Sequence, residues 1–171
     1  MATKTITNTI RLLIPAGAAR PAPPVGPALG QAGLNIMSFC KDFNAKTQNI
    51  KADVPIPVVI SAYSDKSFEY VMKKPPVTYL VKKAAGLDTC SSAPGFQVAG
   101  VISLKHIYEI AKVKKEDDVN THLSMQAVCK SIIATCKSMG IRVVPRPEDA
   151  KRALAGAMAR GGREGGARTR P

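Results

Sequence analysis

Two histidines, His106 and His122, and the carboxylate pair Asp117-Asp118 are the side chains in this sequence best suited to moving a proton near neutral pH. Acid–base catalysis needs such groups to converge on one reacting atom, beside a nucleophile or a metal. Here the histidines fall on separate expected elements, Asp117-Asp118 reads as a solvated charged connector, and no motif supplies a nucleophile. Cys40, Cys90, Cys129 and Cys136 offer no metal site, because zinc needs closely spaced thiolate pairs and no C-x-x-C occurs. Cys129 and Cys136 share the apolar stripe of an expected helix, as buried reduced thiols would, which implies a reducing compartment. These residues predict no enzyme, no cofactor and no metal.

Phosphate cradling by a glycine loop is the next chemistry to weigh. Gly26, Gly30 and Gly33 are spaced G-x-x-x-G-x-x-G, which is not the dinucleotide fingerprint G-x-G-x-x-G, and no Gly-Lys-Ser/Thr follows. Nucleotide binding is not expected. The same stretch carries Pro21, Pro23, Pro24 and Pro27, which fix some φ angles while the glycines free others. Residues 17–33 are therefore expected as an ordered but irregular loop, either a rigid connection or a pre-organised contact surface.

A third chemistry has more support. A helix is expected over residues 121–139, opened by Thr121 and stopped by Gly140. The helical period puts Met125, Val128, Cys129, Ile132, Cys136 and Met139 on a core stripe. The opposite face carries Ala127, Lys130, Ser131, Ala134, Lys137 and Ser138, with Thr135 toward its edge. A solvated helix face normally mixes Glu with Lys, whereas this one has two cations, no acid and little bulk. Small residues allow close approach to another backbone, while amines and hydroxyls reach phosphates and ribose 2′-hydroxyls. A second protein helix packed on this face is the competing reading.

Charge favours RNA. The 171 residues hold 25 Lys and Arg against 12 Asp and Glu, a formal net charge of +13. The surplus is spread along the chain: +5 over residues 1–74, +4 over 75–144 and +4 over 145–171. Such a field attracts polyanions. The wide, shallow minor groove of A-form RNA admits a small-faced helix, so folded RNA fits better than the DNA major groove. With four Tyr, four Phe and no Trp, the chain has no stacking array, and recognition should depend on RNA shape. A membrane reading lacks both a basic amphipathic helix and an apolar run near the roughly 20 residues of a span.

The elements that must position these residues follow from periodicity and turn chemistry. A strand is expected over 5–14, with Ile6, Ile10, Leu12 and Ile14 on one alternation. A helix capped by Asn35 carries Ile36, Phe39, Cys40 and Phe43 to about Lys46. Strands over 56–63 and 67–72 flank a hairpin loop at residues 64–66. Lys73-Lys74-Pro75-Pro76 then interrupts the ladder and marks a stiff boundary that could act as a hinge. Beyond it come a helix over 77–85 ended by Gly86, a polar loop over 87–97, and a short strand over 98–102. Ser103 caps a helix bearing Leu104, Ile107, Tyr108, Ile110 and Ala111; the long helix and a strand over 141–144 follow. Residues 148–160 could be helical, and the Arg/Gly-rich run over 160–170 has almost nothing to bury. The fold class is α+β. An N-terminal α/β domain with a small sheet and the proline loop spans residues 1–74, and a C-terminal three-helix domain with two short strands spans 75–145. A basic tail over 146–171 is expected to be partly disordered and to settle against phosphates.

Several long motifs resemble one family. Pro21-Ala-Pro-Pro-Val-Gly-Pro-Ala-Leu-Gly-Gln31, Asn35-Ile-Met-Ser-Phe-Cys-Lys-Asp-Phe-Asn-Ala-Lys46 and Pro55-Ile-Pro-Val-Val-Ile60 resemble the N-terminal domain of large-subunit ribosomal protein eleven, the stalk-base protein of bacterial-type ribosomes. Lys82-Lys-Ala-Ala-Gly86 and Ser138-Met-Gly140 resemble its C-terminal domain. The resemblance covers about residues 10–144. It implies that the second domain clasps the folded large-subunit rRNA of the GTPase-associated centre, through Lys82, Lys83, Gly86, Lys130, Ser131, Ala134, Thr135, Lys137, Ser138, Met139 and Gly140. It further implies that Pro21, Pro23, Pro24, Val25, Gly26, Pro27, Gly30 and Gln31 line a cleft met by translational GTPases and thiostrepton-like antibiotics. Ribosomal stalk proteins are the other implied partners, and neither a membrane nor a homo-oligomer is implied. Two departures stand out: Ala134 occupies a position where the family usually has glycine, and residues 87–97 lack the lysines frequent in bacterial members. Residues 99–111, 131–133 and 140–144 are more similar to mitochondrial members, which implies the mitochondrial matrix ahead of a bacterial cytoplasm or a plastid. The reading that competes with a ribosomal one is a free RNA-binding or protein-binding regulatory module.

Overall fold

The computed structural model describes residues 5–146, 148 and 149, and the chain divides into two compact units between Pro76 and Val77. The helix expected beyond residue 149 and the Arg/Gly-rich tail lie outside the described residues.

The first unit is an antiparallel sheet in the order β1-β2-β3, formed by β1 (Ile6–Pro15), β2 (Pro55–Tyr63) and β3 (Phe68–Met72). Strict alternation along β2 buries Ile56, Val58, Ile60 and Ala62 on one face. Two helices, α1 (Val25–Gln31) and α2 (Ile36–Lys46), contribute Val25, Leu29, Phe39, Cys40 and Phe43 to the same core. Phe39 meets Phe68 and Tyr70 edge-on at centroid distances of 6.0 and 5.3 Å, which locks α2 onto β3. Asn35 caps α2 as expected, its Oδ1 accepting from the Ser38 N–H at 3.2 Å. Lys66 takes a left-handed φ of 57° to close the β2–β3 hairpin.

Two expectations for this unit need correction. Ile6 is exposed, not part of the inward alternation, because the β1–β2 register slips between Ile6 and Asn8 and changes the phase of the strand. Residues 17–33 are also not irregular throughout, since α1 lies inside them. Pro27 falls in its first turn, where the backbone N–H has no intrahelical partner and proline costs little. Val25 and Leu29, four apart, bury one face of this short helix.

The second unit packs α3 (Val77–Ala85), α4 (Leu104–Lys115) and α5 (Met125–Ser138) with a parallel pair, β4 (Gly100–Ser103) and β5 (Ile141–Val144). Its core is built from Val81, Ile102, Ile107, Ile110, Ala111, Val128, Ile132, Cys136, Met139 and Ile141. Burial pushes the Cys136 thiol up to about 11, so at neutral pH it behaves as a small apolar group. Gly86 ends α3 at φ +66°, where the Leu87 N–H donates to the Lys82 carbonyl at 3.0 Å.

The long helix begins at Met125 behind a Ser124 cap, four residues later than expected. Thr121 does not open it: its hydroxyl donates backward to the Asp118 carbonyl at 2.8 Å, inside a turn that includes a 3-10 segment, Asp118–Asn120. Asp117 is buried and ion-paired with Lys114, and Asn120 donates to the Lys114 carbonyl at 3.0 Å. The expected solvated connector is thus partly internal. Residues 98 and 99 lie ahead of β4, and Ser103 belongs both to that strand and to the start of α4.

Candidate nucleic-acid interface

The outward face of α5 is the most distinctive polar surface of the second unit. Ala127, Lys130, Ser131, Ala134, Lys137 and Ser138 are all exposed, while Val128, Ile132 and Cys136 are buried on the opposite side. Each type recurs after seven residues, close to two helical turns: Ala127 with Ala134, Lys130 with Lys137, Ser131 with Ser138. Equivalent groups therefore repeat along the axis at about 10 Å. Among the described residues no carboxylate pairs with Lys130 or Lys137, so both ammonium groups are available to an anion.

The hydroxyls are oriented by the helix itself. Thr135 Oγ1 donates to the Ser131 carbonyl at 3.0 Å, and Ser138 Oγ donates to the Thr135 carbonyl at 2.8 Å. With their protons engaged, these oxygens offer lone pairs. They suit a donor such as a ribose 2′-hydroxyl, and the lysines suit phosphates. The two alanines leave the backbone between these groups open to close approach.

Lys82 and Lys83 stand in the last turn of α3. Lys83 is exposed, whereas Lys82 is half-buried and donates to the Asp88 carbonyl at 3.4 Å, bracing the following loop. Gly86 is exposed with open space around its Cα. Two expected contact residues have other tasks. The Met139 side chain is buried in the core, and Gly140 is covered by residues 91–99. The Ser91 N–H donates to the Met139 carbonyl at 3.3 Å, and the Ala99 N–H donates to the Gly140 carbonyl at 2.9 Å. A Cβ on Gly140 would sit 2.5 Å from Ser91 Cβ and 3.0 Å from the Gln97 carbonyl oxygen. Thr135 is half-buried at the edge of the face.

In the first unit, Pro21, Pro23, Pro24, Pro27, Gly30 and Gln31 form an exposed surface before and along α1. Val25 does not belong to it: its side chain is buried and anchors α1 to the core. Gly26 is half-buried, and a Cβ there would press on the Pro21 carbonyl at 3.2 Å. The residues that hold the loop lie on α2 and just beyond it, and sequence reasoning missed them. Asn44 Oδ1 accepts from the Ala19 N–H at 3.0 Å while its Nδ2 donates to the Ala19 carbonyl at 3.1 Å. Thr47 Oγ1 accepts from the Gly17 N–H at 3.1 Å and donates to the Phe43 carbonyl at 2.8 Å. No local signal marks Asn44, because its partner lies 25 residues away. Asn44→Ala strands both polar groups of buried Ala19, so urea unfolding should show a loss of about 2 kcal/mol, with RNA affinity unchanged.

The candidate acid–base residues do not form a site. His106 Nδ1 lies 2.9 Å from Ser103 Oγ and accepts from the Ser103 N–H at 3.4 Å, which makes it a helix-start residue. His122 is exposed in the turn before α5. Among the described residues no group of three His, Cys, Asp or Glu could hold a metal ion.

Comparison with known families accounts for both units. Residues 10–68 match the ribosomal protein L11 N-terminal domain, and residues 73–143 match the ribosomal protein L11 RNA-binding domain. The chain belongs to the ribosomal protein L11 family. It is a structural protein, not an enzyme, and its second unit is an RNA-binding domain. The large ribosomal subunit protein uL11m of Drosophila melanogaster is 47% identical over 140 residues, which cover 82% of this chain and 71% of that protein. The match to the RNA-binding domain includes all of α3, the loop before β4 and all of α5, so each basic or small residue described above lies within it.

Proposed function

We propose that this L11-family protein is a structural constituent of the large subunit of a mitochondrial ribosome, in which the α5 face, with Lys83 at the end of α3, anchors folded rRNA. The observation that carries the proposal is the acid-free face of α5, with two lysines, two alanines and two serines repeated at two-turn spacing inside an RNA-binding domain. The 47% identity to a relative named as a mitochondrial-type large-subunit protein supports the subunit and the organelle. The first unit has a different task. Its exposed prolines, held by Asn44 and Thr47, form a stiff surface that loses little entropy on contact, which suits docking by translational GTPases beside the stalk proteins.

Sedimentation tests the assembly. The protein should travel with large mitochondrial subunits and be stripped by high salt. In isolation it should bind one segment of large-subunit rRNA far more tightly than unrelated duplexes of equal length. Equal affinity for both would reject a specific ribosomal role and leave a general RNA-binding module.

A further inference from the structure

The loop that covers the end of α5 presents an aromatic ring to water. Phe96 is 94% exposed, whereas Phe39 and Phe43 are buried and Phe68 is half-buried in the first unit. Rings of this size are among the side chains that folding most readily hides. The turn that holds Phe96 is well tied. Pro94 and Gly95, with φ +100°, make its corner, and the N–H groups of Phe96 and Gln97 both donate to the Ala93 carbonyl, at 3.2 and 3.0 Å. Ala93 N–H donates to Ser91 Oγ at 3.2 Å. Ser91 and Ala99, on either side of the turn, bond to Met139 and Gly140, directly beyond the exposed Lys137 and Ser138.

Residues 89–99 carry no charged side chain, so this loop cannot hold a phosphate by charge. What it adds beside a cationic face is a flat π surface. Its exposed neighbours are mixed, Ser92 and Gln97 polar and Pro94 and Val98 apolar, which falls short of the continuous dry surround that a protein hot spot requires. A nucleobase needs no such surround, because it stacks by one face while its edges stay hydrogen-bonded. We infer, on the strength of the RNA reading of α5, that Phe96 stacks on an unpaired base of the same RNA. Recognition then has two parts: α5 meets the folded backbone, and the loop takes one splayed base next to it. The stacking contact is separate from the charge contacts, so the two respond differently to salt.

The test uses the full chain and transcripts tiled across large-subunit rRNA, with the tightest segment retained. F96A should weaken binding about five- to hundred-fold, the range that loss of one base stack gives. F96L should weaken it comparably, because leucine keeps apolar bulk and lacks a π face. F96W should restore affinity. As the chain has no tryptophan of its own, that residue also reports directly: saturating RNA should quench its emission and shield it from acrylamide. All three variants should keep the parental salt slope, since no cation is lost. Parental affinity in F96A, F96L binding as well as F96W, or emission unmoved by RNA would each overturn the stack. F96A that binds RNA normally but fails to enter ribosomes would assign the ring to a protein partner, which also overturns it. If the parent chain binds no segment in a salt-dependent way, the α5 reading falls first and the stack with it.

Discussion

A chain carrying Lys130→Glu and Lys137→Gln is expected to bind its rRNA segment at least about a hundred-fold more weakly at physiological salt, with the slope of log affinity against log salt reduced by about two. Each lysine that neutralises a phosphate releases counterions, and a glutamate adds repulsion where attraction was lost. Folding should be nearly unaffected. Both side chains are exposed and, among the described residues, unpaired with any acid; only Lys137 lies in a last turn, where a cation contributes about 0.3–1 kcal/mol through the helix dipole. Lys41→Glu with Lys51→Gln, both exposed on the first unit, makes the same change in net charge and is the control. Equal losses in the two double variants would mean that total charge, not the α5 face, sets affinity. Ala134→Leu separates shape from charge: it should weaken binding about ten-fold while leaving the salt slope intact, because bulk alone keeps the helix from the RNA backbone.

Gly140→Ala is expected to destabilise the second unit by about 2–4 kcal/mol, the largest stability effect of any single substitution considered for this protein. Two costs add. The backbone at φ +72° is unfavourable for any L side chain, and the new Cβ would overlap Ser91 Cβ and crowd the Gln97 carbonyl. Gly86→Ala isolates the first cost, since φ there is +66° and nothing lies within 4 Å of the added carbon; about 1 kcal/mol is expected. Ser91→Gly should recover part of the Gly140→Ala loss by removing Ser91 Cβ and Oγ, two of the three atoms nearest the new carbon, a coupling that a double-mutant cycle reads directly. Urea unfolding followed by hydrogen exchange at α5 amides would resolve this unit from the other. Equal losses at Gly86 and Gly140 would show that the covering loop yields freely. If the loop is displaced instead, Gly140→Ala should also weaken RNA binding, because Phe96 is carried on the same turn.

Most of this protein's elements were legible in the sequence because their causes are local. A helical period places Lys130, Ser131, Ala134, Lys137 and Ser138 opposite Val128, Ile132 and Cys136 wherever the helix lies. The expected face therefore survived a four-residue error in its start. Gly86 ends α3, Asn35 caps α2 and alternation marks β2 for similar reasons, each resolved within a few residues. That error arose because Thr121 and Ser124 both look like caps, and the choice was made by Asp117, which the ion pair with Lys114 draws inside the fold.

Only the tertiary structure could decide what joins distant positions. Asn44 and Thr47 fix a loop 25 and 30 residues upstream, Val25 leaves the proline surface for the core, and Gly140 lies under a covering loop that begins near Ser91. The presentation of Phe96 belongs to this set, since composition alone predicted no stacking at all. Periodicity and capping record which way a residue faces on its own element, so the amino-acid sequence by itself determined the acid-free lysine face of α5. Which loop closes against which helix depends on contacts that no local pattern encodes, and those contacts gave that face its limits and its aromatic neighbour.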